Sequence, residues 1–413
     1  MIRLLYVILL LLFISNIVQA KQIQVGSKHQ YKTIKAAIDS ALDGDTIFIN
    51  SGMYKECPVI VDKKITMIGV DRPILDGEHK HEVVSIKADS VVFKGFRIQN
   101  SGVSSINDIG GIKVYDRRWV SIVDNVLDNN FFAIYLQYSK HCLVKDNIIK
   151  SNAHDEQNSG NGIHCWKSDS LQIIHNVIEG HRDGIYFEFV KESIVWRNIA
   201  RNNIRYGLHF MFSHNDSYFT NIFENNGAGI AVMYTKHVFM ANNTFINNTG
   251  DACYGLLLKD ISDSYIKGNR FQGNTIAMFL EGANRNIITK NIITENGWGM
   301  KVQANCEDNQ IFENNFTANT FDVATNGSLV MSYFKKNYWD KYEGYDLDKD
   351  GIGDIPYHPL SVYSYVIEQN PISMLLFRSF MVTLMDRTER LIPSITPEAF
   401  VDLTPAFKPY KYD

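Results

Sequence analysis

Short alternating runs of apolar and polar residues, closed by Asn, Asp, Gly or Ser, make up most of this chain and recur at a nearly fixed interval. Asparagines stand at Asn125, Asn147, Asn176, Asn198, Asn221, Asn243, Asn269, Asn291 and Asn315, separated by 22, 29, 22, 23, 22, 26, 22 and 24 residues. A register of small residues runs in phase with them, at Gly111, Ala133, Gly162, Gly184, Gly207, Gly229, Gly255, Ala277 and Gly299. Two registers in phase mean one structural unit repeated. A period near 22 built from period-2 runs predicts an all-β fold: a right-handed, single-stranded parallel β-helix solenoid with one coil per repeat.

Alternation fixes which columns face inward. One residue after the small register stand Ile112, Ile134, Ile163, Ile185, Leu208, Ile230, Leu256, Met278 and Met300; three after it stand Val114, Leu136, Cys165, Phe187, Phe210, Val232, Leu258, Leu280 and Val302. These are the expected core. The columns two and four after the register are mixed and should face outward: they hold Tyr135, His164, Tyr186 and His209, then Gln137, Trp166, Glu188, Met211 and Met233. A barrel-borne function belongs on them. The asparagines read as a turn ladder whose amides bond to turn backbone or to one another.

Four segments are expected. Residues 1–20 carry Arg3, an apolar run from Leu4 to Ile17 and Val18-Gln19-Ala20, the layout of a cleaved secretory signal, so the mature chain should begin near Lys21 and lie outside the cytoplasm. Residues 21–90 form an N-terminal cap and the first coils, with a short helix in Tyr31–Ala41 closing the open end. Residues 91–336 are the regular β-helix, and 337–413 hold an Asp-rich loop and an extended and helical docking tail that includes Leu375, Leu376, Phe380, Leu384 and Leu391. A formal charge of −4 with no basic run argues against a nucleic-acid partner. Five cysteines, with no CxxC pair, read as buried free thiols. In the loop, Asp346, Asp348, Asp350 and Asp354 with Gly351 have calcium-loop spacing, but Tyr357 stands where a bidentate Glu belongs. Calcium binding and an Asx-rich turn both remain open there.

Several segments resemble the NosD family: Gly44-Asp45-Thr46 and Gly69; Asp183 to Glu188; Tyr206 to His214; Ala231 to Tyr234; Asn337 to Pro359; and Tyr365 to Pro397. The likeness extends over nearly the whole mature chain, and its specific weight rests on Gly207 to Ser213 and on the C-terminal third. It implies a non-enzymatic periplasmic protein working with an ABC-type ATPase and membrane permease, a NosL-like periplasmic copper chaperone, and nitrous oxide reductase, whose copper loading the assembly supports. Copper enters only through this resemblance.

The residues allow two readings of one face. Met211 and Met233 share a column on adjacent coils, with His209 two residues before Met211, so thioether and imidazole ligands suited to transient Cu(I) converge. The same pair, with His164, Trp166, Tyr186 and Glu188, also makes an adaptable partner surface. A polysaccharide-binding or polysaccharide-processing protein is the alternative, but Glu188 lacks a second acid on the neighbouring coils. Separately, Ile174, Trp196 and Phe219 form an outward apolar stripe that the tail or a partner should cover.

Overall fold

Three short strands per coil, each ended by a residue that tolerates a sharp bend, wind the chain into three parallel sheets of 14, 12 and 13 strands. The computed structural model describes residues 20–104, 108–152, 154–250, 253–328, 331–391 and 399–412; the expected signal therefore lies outside the described residues. At roughly 4.8 Å per coil the body is about 60 Å long. Every residue of the two predicted inward columns is fully buried, from Ile112 and Val114 through Met300 and Val302. Between the sheets, phenylalanines stack coil on coil, with Phe245 and Phe271 rings 4.5 Å apart and nearly parallel.

The first coil is closed by a helix, Ile34–Ser40, inside the predicted stretch; Thr33 accepts the Ala36 N–H at its start, and Ile34, Ala37 and Ile38 are buried. The small register has a direct cause. A Cβ on Gly184 would stand 2.6 Å from the Gly207 carbonyl oxygen, and one on Gly207 would stand 2.8 Å from that of Gly229.

The asparagine ladder is continuous. Each Oδ1 accepts both the backbone N–H and the side-chain Nδ2–H of the asparagine one coil earlier, as at Asn198 to Asn221 (2.9 and 3.1 Å), while Nδ2 also reaches a carbonyl in the coil interior. One member was misassigned from sequence. The ladder runs from Asn291 to Asn314 and on to Asn337, whereas Asn315 pairs with the backbone of Tyr410 in the tail. A second ladder at another corner, His181–Asn203–Asn226–Asn248–Asn274–Asn296–Asn319, escaped the sequence reading.

The tail ends the first ladder. Asp402, fully buried, takes the position of a next asparagine: its Oδ2 accepts from Asn337 N–H (3.0 Å), Asn337 Nδ2 (3.2 Å) and Trp339 Nε1 (3.2 Å), and its Oδ1 from Lys336 N–H (3.0 Å). Phe400 and Ala399 join the main core above Phe334 and Trp339. Two helices, Val362–Gln369 and Phe380–Leu391, flank a 3-10 turn at Pro371–Leu376. Tyr363, Ile367 and Val382 pack on Ile276, Trp298 and Phe321 at the last coils. The opposite side stays bare: Ile372, Leu375 and Phe380 are 73, 85 and 82% exposed. The tail is thus partly a cap and partly an uncovered apolar hairpin, and no helix among the described residues is long and apolar enough to cross a membrane.

All five cysteines are free thiols, with Cys142, Cys165, Cys253 and Cys306 buried. Burial pushes Cys142 and Cys253 up to about 11 and Cys57 to about 12, so the free thiols stay protonated.

Two predictions follow from the ladders. Asp402→Ala strands several buried donors at once and should cost about 3 kcal/mol or more, read as a lower urea midpoint and early proteolysis after Lys335; Asp402→Asn keeps an acceptor and should lose less. His181 is fully buried, and burial, opposed in part by the Gly160 backbone, lowers its pKa from 6.5 to about 4. Because the folded value is depressed, its contribution is complete above pH 6.5 and is lost as pH falls toward 4. His181→Asn should therefore remove part of the stability difference between pH 7 and pH 5 in thermal melts; an unchanged difference contradicts the assignment.

Candidate functional site

The outward face of the 12-stranded sheet gathers the predicted residues. Register pairs Tyr135 with His164, His164 with Tyr186, and Tyr186 with His209; it also pairs Trp166 with Glu188, Glu188 with Met211, and Met211 with Met233. All seven predicted residues of this face therefore lie on four consecutive coils. The inner column is a stack of alternating Tyr and His rings, with centroids 4.6, 4.7 and 5.1 Å apart from Tyr135 to His209.

This column is drier than alternation predicts. His209 is buried because Arg205 and Tyr206 fold over it, with the Tyr206 and His209 rings 4.8 Å apart, and Tyr135 is buried against Phe131 and Phe132. Arg205 grips the fully buried Asp183 through two bonds, Nε to Oδ1 (3.1 Å) and Nη2 to Oδ2 (3.0 Å), and Nη2 also lies 3.1 Å from His209 Nδ1. A guanidinium only donates, so Nδ1 accepts and the His209 proton sits on Nε2, a buried atom without a partner. Asp183 Oδ2 stands 3.7 Å from the same Nδ1. His164 accepts from Asn161 Nδ2 at 2.9 Å, and burial, with Arg182 nearby, lowers its pKa to about 3. It is neutral at any physiological pH. Tyr186 donates to Glu188 Oε2 at 3.1 Å; burial first, and Glu188 second, push its hydroxyl pKa up.

Met211 and Met233 are half-buried on adjacent coils. Beside them runs a column that sequence reading missed, one residue further round the corner: Tyr138, Lys167, Phe189, Phe212 and Tyr234. Phe189, Phe212 and Tyr234 are 44, 39 and 42% exposed. Asp183 and Arg205 were also missed, although Asp183 opens the quoted Asp183 to Glu188 segment. A carboxylate directly before a register glycine was the available signal.

The Ile174, Trp196 and Phe219 stripe lies on a different sheet, the 14-stranded one, half-buried. Trp196 and Phe219 rings are 5.7 Å apart, and Arg197 lies over Trp196 at 4.7 Å. Ile174 and Trp196, with Leu143, Lys145 and Gln172, line a shallow groove. The described part of the tail bonds to the coils from Lys301 to Asn337, not to this stripe. In the Asp-rich loop, Asp346, Asp348 and Asp350 bring carboxylate oxygens within 4.8 Å of one another. Asp354 does not join them; its Oδ2 accepts the Leu347 N–H at 2.7 Å. Tyr357, at the place of the missing Glu, bonds Asp322 at 3.3 Å instead.

Comparison with known proteins agrees with this architecture. Residues 149–344 match the family described as periplasmic copper-binding protein (NosD), and residues 43–178 match the right handed beta helix region. The probable ABC transporter binding protein NosD of Pseudomonas aeruginosa is 26% identical over 367 residues, which cover 82% of this chain and 85% of that protein. Its namesake in Stutzerimonas stutzeri is 27% identical over 306 residues, covering 70% and 69%. Among solved structures, the A-module of the Azotobacter vinelandii mannuronan C-5 epimerase AlgE6 superposes with a TM-score of 0.54 at 14% identity, over 74% of this chain and 87% of that one. The Dettilon tailspike protein gives 0.53 at 13%, over 71% and 64%. These two share the fold alone.

Proposed function

We propose that this chain, a member of the NosD family, is the periplasmic component of an ABC-transporter-type assembly that supports copper-site maturation of nitrous oxide reductase, docking its partners and passing Cu(I) across one face. The observation that carries the reading is the stacked pair Met211 and Met233 with His209 two residues before Met211 on the same strand. Thioethers are soft, neutral ligands that hold Cu(I) without the deep thiolate affinity that would prevent release. His209 fits a third ligand. Its Nε2 has no other partner, and Asp183 Oδ2 lies 3.7 Å from Nδ1, so a small approach once Arg205 lets go would give the carboxylate–imidazole relation that orients metal-binding histidines. Arg205 opposes this at rest by donating to Nδ1, so His209 would ligate only after that contact opens.

The tail hairpin supports docking to the permease. Ile372 and Leu375 on the 3-10 turn and Phe380 at the start of the second helix are exposed, beside helices packed on the solenoid, and an apolar surface of this kind calls for a partner. The cytoplasmic ATPase would then act through the permease, while the chaperone and reductase meet the solenoid sides. The glycan alternative is weaker. Glu188 has Trp166 and Met211 as its column neighbours, and the nearby buried carboxylate, Asp183, is held in the Arg205 fork and cannot serve as its acid or base partner.

Replacing Met211 and Met233 together by Leu keeps volume and apolarity but removes both sulfurs. Copper content of the matured reductase should fall while the urea midpoint of the variant is unchanged; full maturation would leave the face as a docking surface only. Trp196→Asp should leave secretion and folding intact and weaken one partner contact by about 2 kcal/mol, measured by pull-down against each partner in turn. Equal binding to all of them would remove the stripe from the account.

A further inference from the structure

Exposed apolar side chains crowd into one short segment of the tail. Eight large ones from Ile372 to Leu384 are open to solvent, and Leu375 and Phe380 are the two most exposed of their kind among the described residues. Elsewhere along the described chain such side chains stand singly or in pairs. Residues 371–385 hold a single charged side chain, Arg378. The helix Phe380–Leu391 is apolar on two sides where it begins: Val382 and Met385 pack on the last coils of the solenoid, while Phe380, Met381 and Leu384 face solvent. A helix that is apolar all round suits a buried or a lipid environment and is out of place in water.

Polar groups of this tip find their partners within the tail. Along the 3-10 turn and into the helix, the N–H groups of Ser373, Phe377 and Ser379 donate to the carbonyls of Asn370, Met374 and Leu376. Tyr363 donates its hydroxyl to the Ser373 carbonyl at 2.9 Å, Ser379 Oγ accepts the Val382 N–H at 3.3 Å, and the exposed Thr383 returns its hydroxyl to the Ser379 carbonyl at 3.2 Å. Backbone that leaves water needs such internal pairing, because hydrocarbon offers none. A protein partner calls for different anchors, most often Trp, Tyr or Arg, with Leu under-represented. Residues 371–385 contain three leucines and two phenylalanines but neither Trp nor Tyr. The charges around the tip favour an anionic surface: Glu368 is paired with Lys301 and Glu389 accepts the Val362 N–H, whereas Arg378 and Arg387 are exposed.

We propose that this tip, residues 371–384 with Arg378 at its edge, inserts into the near leaflet of a bilayer that carries anionic headgroups. An inserted apolar tip leaves its cations at the headgroup phosphates, with their stems in the interface. The proposal deepens the permease-docking part of the function reading, on which its location rests: a lipid contact of the chain's own would hold it at the membrane where the permease lies. Met233 then stands four coils, roughly 19 Å, from the last strand of its sheet, clear of the lipid. The purified chain is floated on a sucrose gradient with vesicles of phosphatidylethanolamine and phosphatidylglycerol, or of phosphatidylcholine alone, with no permease present. Wild type should float with the anionic vesicles and less with the neutral ones. Leu375→Asp with Phe380→Asp alters two side chains that the fold barely uses, so the melting temperature should hold while partition onto the anionic vesicles falls about thirtyfold or more. Arg378→Glu should weaken that partition and leave phosphatidylcholine binding unchanged. Wild type that stays at the bottom of both gradients overturns the proposal. If it then binds the purified permease in detergent and the double variant does not, the tip is a protein contact and the function reading stands; if it binds neither, that reading loses its docking surface too. Self-association through the tip without flotation overturns the lipid contact in favour of a second copy of the chain. Equal flotation of the double variant, with its fold intact, removes the tip from the contact, and equal binding to both vesicle types overturns the headgroup assignment.

Discussion

Buried amide satisfaction is the constraint on which the rest of this molecule depends. An asparagine inside a turn brings two donors and an acceptor into a dry place, and each must be paired. Stacking identical turns solves the problem coil by coil, since every Oδ1 serves the coil before it. The solution propagates but cannot end itself, because the last asparagine still needs an acceptor. Asp402 supplies it from 65 residues downstream, and in doing so ties the tail to the barrel. The regular spacing of the outward columns, and with it the pairing of Met211 with Met233, follows from that enforced register.

Much of this was legible because a parallel coil repeats its chemistry at a constant period. The inward columns, the helical cap and the stacking of Met211 on Met233 could be read directly from alternation and phase. What failed had local physical reasons. Asn314 and Asn315 are adjacent and both amides, so spacing alone could not say which one the ladder uses; the tail contact to Tyr410 decides it. His209 was expected on a wet face, but its column is sealed by Arg205 from the preceding turn, a contact across an aromatic layer that period-2 reasoning does not see. The aromatic corner was missed because alternation ends at the strand end, where backbone conformation takes over.

The site combines features that pull in opposite directions. Its inner column is dry, and its histidines are held neutral or bonded to cationic partners, which suits rigid support more than permanent metal binding. Its outer column is soft and half-exposed, which suits transient contact. On the proposed reading, an ion that is received and then given up would call for that arrangement: weak neutral ligands at the surface, with an imidazole that becomes available only when the Arg205 contact is released. Burial holds Cys142 and Cys253 as protonated thiols, their pKa pushed up to about 11.

The most direct test of this account is copper X-ray absorption on the purified chain after anaerobic titration with Cu(I). The account predicts that Cu(I) kept in excess takes a first shell dominated by sulfur, joined by one imidazole nitrogen when Arg205 is replaced by Ala. A shell of nitrogen and oxygen without sulfur would contradict it.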